Sequence, residues 1–273
     1  MSYETLDLKQ EGQVAWLTLN RPEALNAMSR ALVDELRDFF SGLPGRRDIR
    51  VVVLRGAGRA FCAGLDLKET PMPTSDEAGG TGNLGGPSAG MRLQRHISEL
   101  PILMRRAPQP IIACVHGAAC GGGFALALAS DVRLAGESAR MNAAFIKIGL
   151  SACDIGVSYF LPRLVGASLA SELLLTGRFI EAQRALATGL VSRVVPDDQL
   201  EAEARALAEE MLATSPLGLR LTKECLGMSL DAGSLEQVIA MEDRNQILCT
   251  QTKDMLEGVT AFLTKRPPQY TDT

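Results

Sequence analysis

The chain has 273 residues, and its 28 lysine and arginine side chains against 32 aspartate and glutamate side chains give a formal net charge of −4. Hydrophobic residues make up 46% and charged residues 22%, a globular balance that argues against disorder and against a coiled coil. With 4% aromatic residues and no basic face, we expect no nucleic-acid partner. The length suits one large α/β domain or a core with a small appendage.

Six cysteines and two histidines show no zinc-ligand spacing, so we expect no metal site. The amino terminus shows no secretory signal, and we expect a cytoplasmic protein with reduced thiols and no membrane association. Residues 111–129 are apolar enough to suggest a membrane span. His116 and several glycines interrupt this segment, however, which predicts a buried strand, a glycine turn and a buried helix.

The predicted elements alternate between short strands and helices, which favours an α/β fold with parallel strand pairing. Residues 3–9 and 13–19 are predicted to form a hairpin, and a serine-capped helix is predicted over 29–40. Further strands are predicted over 50–55, 110–116, 131–135 and 191–195. Further helices are predicted over 91–106, 121–129, 164–175, 181–188 and 199–213, and nearly everything from 216 onward is predicted to be helical. Residues 70–90 hold six glycines and three prolines, which predicts a mobile loop.

Two glycine-containing turns, at 60–67 and 116–124, are the candidates for chemistry. Gly121 to Gly123 stand at the start of a predicted helix, where the first N–H groups are free and the helix dipole favours negative charge. Fixed N–H donors of this kind can form an oxyanion hole. Close packing of helix on strand is the alternative explanation for the glycines. The residues that a phosphate loop or a dinucleotide fingerprint requires are absent.

On these motifs the sequence resembles the crotonase superfamily of enoyl-CoA hydratases and isomerases. The resemblance is carried by NRPEALNAMS at 20–29, AFCAGLDLKE at 60–69, HGAACGGGFALALASDVRLA at 116–135, LPRLVG at 161–166, and the stretches 173–196 and 257–270. It implies a crotonase-like α/β spiral of repeated ββα units over residues 1–200. It also implies a helical C-terminal region, 201–273, that associates chains into a homotrimer or a hexamer of two trimers.

The resemblance also implies a site. The backbone N–H groups of Leu65 and Gly122 would hold the thioester oxygen of an acyl-CoA substrate, so coenzyme A enters as part of the substrate and no tightly bound cofactor is expected. The coenzyme A site would comprise Ala63, Asp66, Leu67, Lys68, Phe262 and Lys265, the last two often serving a neighbouring subunit. Alternatively, Lys68 and Lys265 are ordinary solvated charges at the protein surface. The loop at 70–90 would form a variable wall of the acyl pocket.

The sequence departs from the hydratase pattern at both catalytic glutamates. Ala125 and Phe145 stand in their places and would line the acyl pocket, because neither can move a proton. Asp154 occupies the position that some isomerases of the family use and that serves as a nucleophile in a 4-chlorobenzoyl-CoA dehalogenase. The alternative for Asp154 is a helix cap before residues 155–157.

The expected function is therefore that of an enoyl-CoA isomerase in which Asp154 moves a proton between carbons of an enoyl-CoA or dienoyl-CoA. Three alternatives stay open: an enoyl-CoA hydratase with a single carboxylate, an acyl-CoA hydrolase or dehalogenase with Asp154 as nucleophile, and a non-catalytic acyl-CoA-binding subunit. His116 and Asp131 are predicted to be structural. His96 is predicted to lie either at the surface or in the acyl pocket.

Overall fold

The computed structural model describes residues 3–69 and 86–273. For residues 86–89 it describes the backbone only. The strands within these residues are β1 Leu6–Glu11, β2 Val14–Leu19, β3 Val51–Gly56, β4 Ile111–Val115, β5 Ala118–Cys120, β6 Val132–Gly136, β7 Arg140–Asn142, β8 Ile180–Glu181 and β9 Arg193–Val195. The helices are α1 Arg30–Gly42, α2 Gly86–Ser98, α3 Leu100–Arg106, α4 Gly122–Ala129, α5 Val157–Val165, α6 Ala167–Thr176, α7 Ala182–Ala187, α8 Leu200–Leu212, α9 Pro216–Ser229, α10 Leu235–Thr250 and α11 Lys253–Thr264.

The strands form two sheets. The larger has the order β1-β2-β3-β4-β6-β9, in which only the β1–β2 hairpin is antiparallel. The smaller has the order β5-β7-β8, with β5 and β7 parallel and β7 and β8 antiparallel. Because β4 and β5 follow one another in the chain but belong to different sheets, the backbone turns sharply between them. The second glycine turn, residues 116–124, begins at this corner.

Buried aliphatic side chains explain the layers on both faces of the larger sheet. Along β3, Val51 and Val53 pack into a cluster with Ala204 of α8, whereas Val52 and Leu54 pack into the main core on the other face. Successive strand residues point to opposite faces, so a run of buried apolar residues is typical of a parallel strand covered on both sides. Helix α8 thus packs on the sheet although it begins at residue 200. The division of the chain at that residue stays a prediction.

Several predicted elements are confirmed. The hairpin joins β1 to β2 with Gly12 at φ +58°, and the Ser29 hydroxyl caps α1 by accepting the Leu32 N–H at 3.1 Å. Residues 111–129 contain the predicted buried strand, β4, and the predicted buried helix, the eight-residue α4, with the unpredicted short strand β5 between them. Among the helices that the structure describes, none has the length and apolarity needed to cross a bilayer.

Other predictions were wrong. Helix α2 begins at Gly86, so the loop predicted over 70–90 does not reach residue 90, and its residues 70–85 lie outside the described ones. The single helix predicted over 91–106 is two helices, because Pro101, in the first turn of α3, lacks the N–H that would continue the preceding helix. Likewise, Gly166 at φ +79° separates α5 from α6 where one helix was predicted over 164–175.

Candidate active site

The first glycine turn, residues 60–67, packs against the second. Gly64 has φ +98°, a conformation that side chains rarely adopt, and a Cβ built on it would lie 2.8 Å from the Cys120 carbonyl oxygen. The same Cβ position is 3.6 Å from the backbone nitrogen of Gly122. The absence of a side chain at residue 64 therefore allows the backbone before Leu65 to approach the start of α4.

The second glycine turn, residues 116–124, is fixed to the first by backbone hydrogen bonds. The Cys62 N–H donates to the Ala118 carbonyl at 3.0 Å, and the Cys120 N–H donates to the Cys62 carbonyl at 2.9 Å. A Cβ on Gly123 would lie 2.2 Å from the Cys62 carbonyl oxygen, so only glycine fits there. The consecutive glycines therefore serve close packing, as their alternative explanation holds, and they also bring the two turns together.

Two backbone donors, the N–H groups of Leu65 and Gly122, belong to the two turns that pack together. Gly122 is the first residue of α4, so its N–H has no partner within the helix. In the part of the chain that the structure describes, neither this N–H nor that of Leu65 has a backbone or side-chain acceptor. Met28 pairs with Leu65 through flanking atoms, because the Met28 N–H donates to the Gly64 carbonyl at 2.7 Å and the Asp66 N–H to the Met28 carbonyl at 3.1 Å. Two such donors can jointly stabilise one oxygen that acquires negative charge.

Residues 20–29 brace the first turn. Asn26 is fully buried, and its side-chain amide donates to the carbonyls of Ala57 and Ala60, each at 2.8 Å. Arg21 donates to the Asp66 carboxylate at 2.8 Å, and the Lys68 N–H donates to the same carboxylate at 3.1 Å. Burial raises the pKa of Asp66, but these hydrogen bonds outweigh it and hold the pKa below its usual value. Both oxygens of the Asp66 carboxylate therefore accept hydrogen bonds from within the protein.

Asp154 lies just before α5 and is half-buried. Its Oδ1 atom accepts two hydrogen bonds, from the Ile155 N–H at 2.8 Å and from the Gln94 side-chain amide at 2.5 Å. Burial raises the pKa of the Asp154 carboxyl above its usual value, and the two hydrogen bonds only partly oppose this effect. The helix-cap explanation is wrong, because Gly156 is the N-cap residue of α5 and no side chain caps this helix.

Ile155 connects Asp154 to the glycine turns. Its side chain is buried, and its Cδ1 atom lies 3.6 Å from a Cβ position built on Gly122. Its backbone has φ +47°, which is strained for a β-branched residue. Strain of this kind costs about 1–3 kcal/mol and persists only where the surrounding structure enforces it, most often at functional sites.

Ala125 and Phe145, which stand where hydratases carry glutamates, are both buried in the main core. The Phe145 ring lies 3.4 Å from a Cβ position built on Gly121, so it contacts the second turn. Ala125 belongs to the first turn of α4, and its N–H donates to the Gly121 carbonyl at 3.0 Å. Both residues therefore surround the second turn with apolar atoms.

The residues predicted for coenzyme A lie in two places. In the first turn, the Ala63 N–H donates to the Leu25 carbonyl. Leu67 at the end of this turn is 44% exposed, and Lys68 directly after it is also exposed. Phe262 is 82% exposed on α11, and Lys265 ends this helix in a left-handed conformation. The exposed residues are accessible to a ligand, whereas the side chain of Asp66 is not.

The remaining candidates have structural partners. His116 contacts the Gly58 carbonyl at 2.9 Å, and Asp131 accepts hydrogen bonds from Arg105 and from the Ile111 N–H, so both are structural as predicted. His96 pairs with Asp34 at the surface. A cavity of about 1310 Å³ lies between α3, α5, α9 and α10, and its lining includes Gly156 but no residue of either turn.

Sequence reasoning missed Gln94 and Arg21. Gln94 is exposed on α2, and its partner Asp154 is 60 residues away in sequence, so no local pattern marks it. Arg21 lies within the motif at residues 20–29, but its partner Asp66 is 45 residues away in sequence.

Comparison with known proteins finds relatives that match nearly the whole chain. A family model described as "Enoyl-CoA hydratase/isomerase" matches residues 9–273. A probable enoyl-CoA hydratase of Mycobacterium bovis is 41% identical over 95% of this chain and 90% of its own length. The 1,2-epoxyphenylacetyl-CoA isomerase of Escherichia coli is 35% identical over 96% of each chain. The crystal structure of a probable enoyl-CoA hydratase/isomerase from Mycobacterium abscessus superposes with a TM-score of 0.89 at 37% identity, covering 99% of this chain and all of the other.

Proposed function

Because this chain belongs to the enoyl-CoA hydratase/isomerase family of the crotonase superfamily, we propose that it is an isomerase that shifts a double bond in an enoyl-CoA or dienoyl-CoA. The observation that carries the proposal is the half-buried Asp154 carboxyl, which accepts the Ile155 N–H, while the Ile155 side chain lies 3.6 Å from a Cβ position built on Gly122. The positions of both hydratase glutamates hold apolar side chains. Asp154 is therefore the candidate for moving the proton.

The proposed reaction begins with a 3-enoyl-CoA whose thioester oxygen accepts hydrogen bonds from the N–H groups of Leu65 and Gly122. Asp154 removes a proton from C2, and the electron pair delocalises over the thioester oxygen and the double bond, which gives a dienolate. The two N–H donors stabilise its negative oxygen. The protonated Asp154 then returns the proton to C4, so the double bond moves to C2–C3 and no atom is gained or lost.

The surroundings of Asp154 suit this role. Burial raises the pKa of its carboxyl, and a general base works best when its pKa lies nearer the operating pH. The buried Phe145 ring and Ala125 supply the apolar environment around the second turn. A relative that is 35% identical over 96% of this chain is named an isomerase of an acyl-CoA, which supports the reaction class.

Hydration of a 2-enoyl-CoA with Asp154 as the single carboxylate is the second candidate. It is favoured by the names of several relatives, among them the probable enoyl-CoA hydratase of Mycobacterium bovis. The same two N–H donors would polarise the thioester. Asp154 would take a proton from water as the water oxygen attacks C3, and would then return that proton to C2 of the resulting enolate. The two candidates differ in their products, because hydration adds the mass of one water molecule and isomerisation adds none.

A panel of 2-enoyl-, 3-enoyl- and dienoyl-CoA thioesters, with products followed by mass spectrometry, tests the proposal. We expect 3-enoyl-CoA to become 2-enoyl-CoA at unchanged mass, and Asp154→Asn to lower kcat/KM by at least about 100-fold. Asp198→Asn, a change at an exposed aspartate, serves as the matched control and should keep full activity. Full activity of Asp154→Asn would exclude the proposed role, and an acyl group trapped on Asp154 would indicate nucleophilic chemistry instead.

We further propose that the backbone at Ala63, Asp66 and Leu67, together with Lys68, binds coenzyme A, which comes only as part of the substrate. Phe262 and Lys265 would contribute from a neighbouring subunit of a trimer or hexamer. Their exposure on α11 supports this arrangement, because a residue that reaches a neighbour must project from its own chain.

A further inference from the structure

We infer that Gln94 is the positioning residue of Asp154: its side-chain amide fixes the rotation of the carboxyl and leaves Oδ2 as the oxygen that carries the proton. This inference rests on the proposed function, because it assigns a role relative to a catalytic Asp154. Gln94 lies on α2, 60 residues before Asp154 in sequence, and its amide donates to Asp154 Oδ1 at 2.5 Å.

The hydrogen-bonding chemistry of the Asp154 carboxylate determines which atom of the Gln94 amide faces it. A carboxylate only accepts hydrogen bonds, so the nitrogen of the Gln94 amide must face it. Oδ1 also accepts the Ile155 N–H at 2.8 Å, whereas no donor among the described residues contacts Oδ2. With Oδ1 engaged twice, the lone pairs of Oδ2 are the ones free to take a proton from the substrate.

The two donors come from independent parts of the fold. The Ile155 N–H is set by a strained backbone at φ +47°, and the Gln94 amide by the position of α2. Helix α2 is attached to α1 close to Gln94, because Arg37 donates to the His96 carbonyl at 2.8 Å and pairs with Glu99 at 2.5 Å. Buried Ile97 adds an apolar contact with the main core. Gln94 thus approaches Asp154 from an anchored helix.

Few groups affect the pKa of Asp154. Burial raises the pKa of this carboxyl, and the hydrogen bonds from Ile155 and Gln94 lower it. No charged side chain among the described residues contributes to this balance. The Gln94 amide therefore stabilises the charged, proton-accepting form of Asp154, and replacing it should move the pH at which the enzyme becomes active.

Three substitutions at Gln94 test the inference through the pH dependence of kcat/KM for a 3-enoyl-CoA. Gln94→Leu removes the donor, so the acid limb should move up by about one pH unit. Gln94→Glu places a like charge beside Asp154 and should move the limb further up, whereas Gln94→Lys keeps an N–H donor, adds positive charge and should move the limb down. Gln183→Leu, at an exposed glutamine, is the matched control and should leave the limb in place.

The outcomes separate this inference from the proposed function. A purely structural role for Gln94 would lower the rate in all three variants without moving the limb, and that result would overturn the inference while Asp154→Asn still abolishes turnover. If Asp154→Asn remained fully active, the proposed function and this role would both fail. Circular dichroism of each variant identifies loss of fold, and the opposite shifts expected for glutamate and lysine keep the test decisive if the leucine variant does not fold.

Discussion

Gly64 shows how one residue without a side chain places a backbone donor. It combines φ +98° with an approach that would put a Cβ 2.8 Å from the Cys120 carbonyl oxygen. A methyl group there cannot be accommodated by rotating a neighbouring side chain, because the obstacle is backbone. Any shift that relieves the contact moves Leu65, whose N–H we propose as one of the two oxyanion donors.

We predict that Gly64→Ala lowers kcat/KM by about 100-fold or more, the effect of losing one preorganised donor to an oxyanion. The matched control is Gly12→Ala, because Gly12 also has a positive φ, at +58°, but nothing lies within 4 Å of its Cβ position. Both variants incur backbone strain of about 1–2 kcal/mol, and only the first should lose activity. Equal kcat/KM values for the two variants would show that the first turn is not part of the catalytic site.

Single residues also show which features of the site can be predicted from the sequence and which cannot. The glycine turn at the start of α4 could be predicted, because glycines before a helix are a local pattern, whereas the oxyanion role of the Leu65 and Gly122 N–H groups is implied by the resemblance and stays a prediction. Gln94 could not be found, because its hydrogen bond to Asp154 joins residues 60 positions apart. The strained Ile155 was also missed, since a β-branched residue gives no sequence signal for a left-handed backbone.

At the scale of elements, hydrogen bonds from the segment 20–29 hold the first glycine turn in position. Arg21 contacts Asp66, Glu69 and the Ala27 carbonyl, and so connects the end of β2 to residues 65–69. The side chains of Arg21 and Asp66 are 16% and 9% exposed, respectively, so the pair is largely shielded from water. Removing one partner of a buried pair leaves an uncompensated charge.

We predict that Arg21→Met lowers the free energy of unfolding at pH 7 by about 3 kcal/mol, measured by urea denaturation. In the parent protein the pKa of Asp66 is lowered, so this carboxylate stabilises the fold above the usual aspartate pKa and loses that contribution as pH falls through the lowered value. In the variant, the lowering effect of Arg21 is gone and only the backbone N–H groups of Lys68 and Glu69 oppose burial, so the pKa of Asp66 rises relative to the parent. Asp66 then takes up its proton at a higher pH than in the parent, and the deficit should shrink as pH falls.

Two further variants check this interpretation. Asp66→Asn in the Arg21→Met background should recover part of the lost stability, because the unpaired charge is gone. Arg30→Met, at an exposed arginine on α1, should change the free energy of unfolding by no more than about 0.5 kcal/mol. A deficit that stays constant between neutral and acid pH would contradict the buried-charge explanation.

The elements that could be predicted are those with their own local signal. Helix α1 has a serine cap and apolar residues at helical spacing, and the buried strands of the larger sheet are continuous apolar runs. The smaller sheet was missed, because its strands of two or three residues are too short to show any periodicity. Its parallel and antiparallel pairings arise from contacts between segments distant in sequence, as does the corner that presents the second glycine turn.

At the scale of the whole molecule, the C-terminal helices are incompletely covered. Helices α10 and α11 expose large apolar side chains, namely Leu235 at 70%, Ile247 at 63%, Leu256 at 68%, Phe262 at 82% and Leu263 at 73%. A cluster of exposed apolar side chains on adjacent helices is typical of a surface that binds another protein. Together with the oligomers that the family resemblance implies, this favours association through α10 and α11.

We predict that the protein is a trimer or hexamer by light scattering, and that Leu256→Glu reduces its mass toward that of one chain, because a buried carboxylate without a partner opposes association. Ala206→Glu, which adds the same charge at an exposed position of α8, should leave the mass unchanged. If Phe262 and Lys265 complete a neighbour's coenzyme A site, the dissociated variant should also show a higher KM for acyl-CoA with its fold intact. A parent protein with the mass of a single chain would refute both the interface and this shared site.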